Sequence, residues 1–167
     1  VLADQPSATD DLYWVEGSGG SLFEAWCDMT EDNGGWTLVA TIANDGTRNW
    51  NTLAAFTDTT TFGSVSSSSS DFKSEAMSEI EGHDLLVITD DYAMGFYSLL
   101  GGSELATWIN DEYDSAACNS TYEVSGADYY DGLTAAQAAG QNVIVRPLDT
   151  NANCFPSTNE NALLGFQ

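Results

Sequence analysis

Leu12-Tyr13-Trp14-Val15 is followed, after a glycine-rich gap, by Cys27-Asp28-Met29-Thr30-Glu31-Asp32-Asn33-Gly34-Gly35-Trp36-Thr37-Leu38-Val39. The first run is short, apolar and aromatic, as a strand requires. Gly17-Ser18-Gly19-Gly20 supplies a turn. Leu22 to Asp28 then alternates, with Phe23, Ala25 and Cys27 on one face and Glu24, Trp26 and Asp28 on the other. That period of two predicts a second strand. Glu31-Asp32-Asn33-Gly34-Gly35 holds turn residues, and Trp36 to Ala43 is β-branched and apolar, a third strand. Gly34 and Gly35 permit backbone angles a Cβ forbids. Asn33 and Asp11 are residue types that tolerate the left-handed region. Trp36 is placed to plug a core, and Gly-rich connections predict antiparallel pairing.

Outward from this corner the pattern changes. Asn44 to Ser70 is rich in Ser, Thr, Asn and Asp, with an unbroken serine run from Ser66 to Ser70. It reads as a long loop pinned by Trp50, Phe56 and Phe62, with a mobile linker as the rival. A short helix is predicted within Asp71 to Ile80, a buried strand over Asp84 to Thr89 and another over Ala93 to Leu100. Ser103 is a candidate cap for a helix through Asn110 whose apolar side carries Leu105, Trp108 and Ile109. Thr134 to Ala139 has capping-box spacing and a following Gly140. Asn142 to Arg146 reads as a strand ended by Pro147, and the last twenty residues as mostly loop. There is no internal repeat and no βα alternation. The fold class expected is α+β: antiparallel sheets with short helices and long loops.

The 167 residues fit one domain and can bury a core; hydrophobic residues make up 43% and aromatics 11%. There are 26 acidic residues against three basic ones, a net charge of −23. Such a surface repels nucleic-acid phosphates and anionic lipid heads, so neither partner is expected. No apolar run reaches the length of a membrane span, and membrane insertion is not expected. The acids read either as a solvated surface or, in part, as cation sites. The chain begins at Val1 with no apolar leader, so it reads as processed or trimmed, and a secreted protein, extracellular or at a cell surface, is expected. Asn119-Ser120-Thr121 is a glycosylation sequon, with Asn119 the acceptor.

Cys27, Cys118 and Cys154 are the three cysteines, and none lies in a CxxC motif. An odd count in a secreted chain predicts one disulfide plus one thiol able to pair outside it. His83 is the single histidine, which excludes a multi-histidine metal site within one chain. A Ser-His-Asp triad would need it, and no Gly-x-Ser-x-Gly elbow is present. It reads as a turn residue, and no catalytic residue is assigned. Asp149-Thr150-Asn151-Ala152-Asn153 alternates oxygen side chains as the start of a calcium loop does, making Asp149, Asn151 and Asn153 the metal candidates. The loop's glycine and distant glutamate are lacking, so the simpler reading is a polar turn. Asp90-Asp91 and Asp111-Glu112 with Asp114 are further cation candidates whose simpler reading is a solvated loop. Tyr129-Tyr130, between Asp128 and Asp131, is the candidate glycan-stacking pair, set against ordinary core packing.

The stretch from Leu12 to Val39 resembles the opening of fibrinogen C-terminal-related domains, the group of ficolins, tachylectins, intelectins and bacterial secreted relatives. Asp71-Phe72-Lys73-Ser74 and Asp84-Leu85-Leu86 are similar to the bacterial-type variants. The resemblance implies a fibrinogen-like fold and a non-enzymatic recognition or adhesion module, binding glycans or a surface protein with calcium as the cofactor. It is strong over Leu12 to Ala43 and weak beyond Asn110. Residues 1–167 are then expected to be a single fibrinogen-like domain lacking the family's C-terminal ligand-binding part. The resemblance also implies that Cys27 pairs with a cysteine upstream of this segment, unless it bonds elsewhere. Cys118 and Cys154 are expected to bond to each other, stabilising by roughly 3–4 kcal/mol. The alternative function is a structural subunit of an extracellular filament or sheath, a homo-oligomer joined through Cys27 or an exposed strand edge.

Overall fold

The computed structural model describes residues 7–43, 53–65, 70–89, 93–112, 123–125, 128–132, 134–135, 142–144 and 162–166. Strands β1 (Asp11–Glu16), β2 (Leu22–Asp28) and β3 (Trp36–Ile42) stand where the sequence placed them. The β1–β2 hairpin is antiparallel from Asp11–Cys27 to Glu16–Leu22. Phe23, Ala25 and Cys27 are buried, as the alternation requires. A three-residue 3-10 turn, Glu31–Asn33, joins β2 to β3 with Asp32 and Asn33 at φ 42° and 70°. Asp11, by contrast, is an extended strand residue.

Next come α1 (Leu53–Thr57), β4 (Phe72–Lys73), α2 (Ala76–Glu79), β5 (Glu81–Gly82), β6 (Leu85–Thr89), β7 (Ala93–Phe96), β8 (Ser103–Glu104) and α3 (Leu105–Glu112). The last elements are β9 (Glu123–Ser125), β10 (Tyr129–Asp131), β11 (Asn142–Ile144) and β12 (Ala162–Phe166). Among the described residues the main sheet has eight strands in the order β1-β2-β3-β12-β6-β7-β10, with β4 also on β3. All of its pairings are antiparallel. The mixed, sheet-rich α+β class expected from the sequence is what the chain adopts.

Four local expectations are corrected. The last twenty residues, read as mostly loop, hold a strand that the reading did not single out: β12 lies in the middle of the sheet, between β3 and β6. The loop read over Asn44 to Ser70 contains α1, and Phe62 forms a β-bridge with Lys73. Ser103 belongs to β8, and α3 begins after it. The strand read over Ala93 to Leu100 stops at Phe96, where Ser98 turns the chain at φ 56°. Of the helix read over Thr134 to Ala139, and of the strand ending at Arg146, residues 136–139 and 145–146 lie outside the described residues.

The helices pack on one face of the sheet. Phe56 of α1, Met77 of α2 and Leu105 and Ile109 of α3 join Phe23, Val39, Val87 and Met94 in one core. Trp108 is half-buried beside it. Each large side chain enclosed there contributes about 1.5–3 kcal/mol of transfer free energy. On the opposite face the 3-10 turn folds over the sheet. Trp36 is 1% exposed, and its indole Nε1 donates to the Glu31 carbonyl at 3.0 Å. Gly34, at φ 71°, packs so close to Met29 that a Cβ would overlap the Met29 carbonyl.

Candidate functional site

Among the described residues, the face opposite the helices carries two clusters of chemically able side chains. The first grows from the corner itself. Asp28 Oδ1 accepts from the amides of Thr30 and Glu31, both at 2.8 Å, and Asp10 Oδ1 accepts from the Met29 amide at 2.7 Å. These bonds hold the turn so that Glu31 and Asp32 reach the far side of the sheet. There the Tyr97 hydroxyl donates to Asp32 Oδ2 at 2.5 Å, and the Tyr129 hydroxyl donates to Glu31 Oε1. Asp128 Oδ2 accepts from the Tyr97 amide at 2.8 Å, and Asp84 Oδ1 from the Ser98 amide at 2.6 Å.

A hydroxyl bonded to a carboxylate resists losing its proton. The bond to Asp32, then partial desolvation, then the charges of Asp32, Asp84 and Asp128 push the Tyr97 phenol up to about 12. Tyr129 is pushed higher still, first by its bond to Glu31, then by desolvation and the charges of Glu31, Asp131 and Asp32. Part of the acidity read as a solvated surface is therefore committed to turns. Asp10, Asp28, Asp84 and Asp128 each accept a backbone amide.

Of the tyrosine pair singled out from the sequence, Tyr129 is half-buried and its hydroxyl is engaged by Glu31. Tyr130 points to the other side of β10 and is exposed. The two do not form one stacking platform, because neighbouring strand residues face opposite ways.

The second cluster is the outer face of the β1–β2 hairpin. The register sets Leu12 against Trp26, Trp14 against Glu24 and Glu16 against Leu22. Trp14 is 67% exposed and Leu22 65%, with Leu12 also exposed and Trp26 half-buried. An open tryptophan ring therefore lies between aliphatic side chains and the carboxylates of Glu16 and Glu24. The sequence placed Glu24 and Trp26 on this face. It carried no sign that Trp14 stays open, since an apolar edge strand reads like a buried one.

His83 is exposed in the turn between β5 and β6, and its carbonyl accepts from the Leu100 amide at 2.9 Å. Cys27 is a buried free thiol, which burial pushes up in pKa against the opposing hydrogen bond with Thr37. Asp149, Asn151, Asn153, Cys118, Cys154, Asn119, Asp90, Asp91 and Asp114 lie outside the described residues, as do the side chains of Asp111 and Glu112. Among the described residues no group of three or more His, Cys, Asp or Glu side chains is arranged to hold a metal ion. Among them, too, no helix is long and apolar enough to cross a membrane. No protein-family model matches the chain.

Proposed function

We propose that the protein is a non-catalytic extracellular recognition module that binds glycans through the outer face of its β1–β2 hairpin. The observation that carries this is the open Trp14 ring beside Glu16 and Glu24. A tryptophan face takes the C–H side of a sugar ring by stacking, and the neighbouring carboxylates accept hydrogen bonds from its hydroxyls. The resemblance of the Leu12 to Val39 stretch to fibrinogen-related domains supports the same class. Trp36 is buried and Asn33, Gly34 and Gly35 take positive φ, a turn and core anchor compatible with that class. Calcium enters only through Asp149, Asn151 and Asn153, as part of the proposal.

A glycan array probed with and without calcium tests it. Specific sugars are expected to bind the wild type, and Trp14→Ala is expected to weaken them at least about tenfold, as loss of a central aromatic anchor does. Equal binding by Trp14→Ala would remove the hairpin from the site. A second reading is a filament subunit, favoured by the place of β1 as the outermost strand with apolar side chains exposed. Long regular assemblies in negative stain, lost when Trp14 and Leu22 are replaced by lysine, would favour it.

A further inference from the structure

Strand β2 pairs with β1 from Leu22 to Cys27, but with β3 only at Cys27–Thr37 and Asp28–Trp36. Beyond that point the two strands diverge, and β4 takes over β3 at Ala40–Lys73 and Thr41–Phe72. Ser74 closes the apex of this fork. Its amide donates to the Val39 carbonyl at 3.0 Å and its Oγ to the Leu38 carbonyl at 3.3 Å. What remains open is a groove of about 410 Å³ whose walls include Phe23, Glu24, Phe62, Phe72 and Glu75. That volume is ordinary for a small-ligand site.

The chemistry of the walls is one-sided. Lys73 is the cation in the lining, and its ammonium is occupied by Ala55 and Asp58. The charges offered to a ligand are the carboxylates of Glu24 and Glu75, both exposed. Neither takes part in a hydrogen bond or ion pair among the described residues. Phenylalanine rings add negative faces that attract a cation. The field of a chain of net charge −23 draws cations toward the groove and turns anions away. Glu24 also stands opposite Trp14, so the groove opens onto the hairpin face.

We infer that the glycan recognised is a cationic one. An amino sugar with a free, protonated amine lies on Trp14 and seats that amine in the fork, between Glu24 and Glu75 and against Phe62 and Phe72. This rests on the glycan-binding reading. It adds a ligand class that acetylated, sulfated and carboxylated sugars do not belong to.

Calorimetric titration of the whole chain with a glucosamine tetramer, its fully N-acetylated counterpart, a glucose tetramer and pentalysine tests it. The glucosamine tetramer is expected to bind tightest, and to weaken as salt rises and as the pH passes the amine's own pKa. Glu24→Gln and Glu75→Gln should each weaken it about fivefold, the upper end for exposed ion pairs, and leave the acetylated tetramer unaffected. Thermal melts matching the wild type would show both variants folded. Acetylated or neutral tetramers binding as well as the free amine would overturn the inference and leave the glycan reading standing. If no saccharide bound, both would fall. Pentalysine binding with the same dependence on Glu24 and Glu75, and no saccharide binding, would make the fork a peptide site and overturn it as well.

Discussion

Replacing Lys73 by methionine is the sharpest test of how the fold is held. Lys73 is 2% exposed, and its backbone is bonded on both sides, to Ala40 of β3 and to Phe62. Its Nζ donates to the Ala55 carbonyl at 2.9 Å, the Asp58 carbonyl at 2.6 Å and Asp58 Oδ1 at 3.2 Å. The carbonyls belong to the C-terminal end of α1, which at five residues is far too short to be stable alone. The ammonium is therefore both cap and tether. Methionine keeps most of the buried stem and removes every donor. Two bonds from a charged donor to carbonyls are worth about 3–5 kcal/mol, offset by about 1–2 kcal/mol because no ammonium need be desolvated and the freed carbonyls can rehydrate. The expected net loss is about 2–3 kcal/mol by equilibrium urea unfolding, with faster amide exchange over residues 53–58. Asp58→Asn should cost less than about 1 kcal/mol, because the Asp58 side chain is 51% exposed. Partial desolvation works to raise the Asp58 carboxyl, but the hydrogen bonds from Lys73 and the Thr60 amide outweigh it and hold the group below its usual range. A depressed carboxyl stabilises the fold above its unfolded pKa, and that share disappears only as the pH falls through the folded value. Lys73→Met within about 0.5 kcal/mol of wild type, or Asp58→Asn the costlier of the two, would refute the assignment.

Gly34→Ala is expected to cost at least about 3 kcal/mol or to prevent folding, because positive φ and overlap with Met29 coincide. Gly101→Ala, at φ 62° with open space around it, should cost only about 1–2 kcal/mol in the same unfolding assay. An ultraviolet titration should show Tyr97 ionising near 12 and Tyr129 later, against about 10 for a free phenol. Their pKa values are raised by folding, so their contribution is complete below about pH 10 and is lost as the pH climbs beyond it. Tyr97→Phe should remove the step assigned to it. Iodoacetamide should leave Cys27 unmodified in the native chain and label it after unfolding, read by peptide mass mapping. Native labelling at the rate of a free cysteine would contradict its burial. The same map tests the expected Cys118–Cys154 bond.

What could be read from the residues depended on how local the signal was. Phe23, Ala25 and Cys27 alternate with Glu24 and Trp26, so β2 was legible to the residue. The glycine turn and Trp36 announced the corner in the same way. β12 announced nothing. Ala162-Leu163-Leu164-Gly165-Phe166 is apolar without alternation, and Gly165 interrupts it where its pairing with β3 shifts register. α1 was hidden because Leu53–Thr57 is shorter than a helical period can reveal. The inward role of Tyr129 depends on Glu31, 98 residues earlier, and no local pattern carries such a contact. The fork groove arises from where β2 stops pairing with β3, a property of register that composition does not encode.

The central position of β12 also governs when the protein can come into being. Until Phe166 has been synthesised, β3 and β6 have no neighbour between them, and the sheet exists as two unjoined halves. Until then each half keeps an unpaired border, a state prone to sticking in which chaperones are expected to engage the growing chain. Completion of the sheet is thus deferred until the strand beginning at Ala162 slides between its two partners.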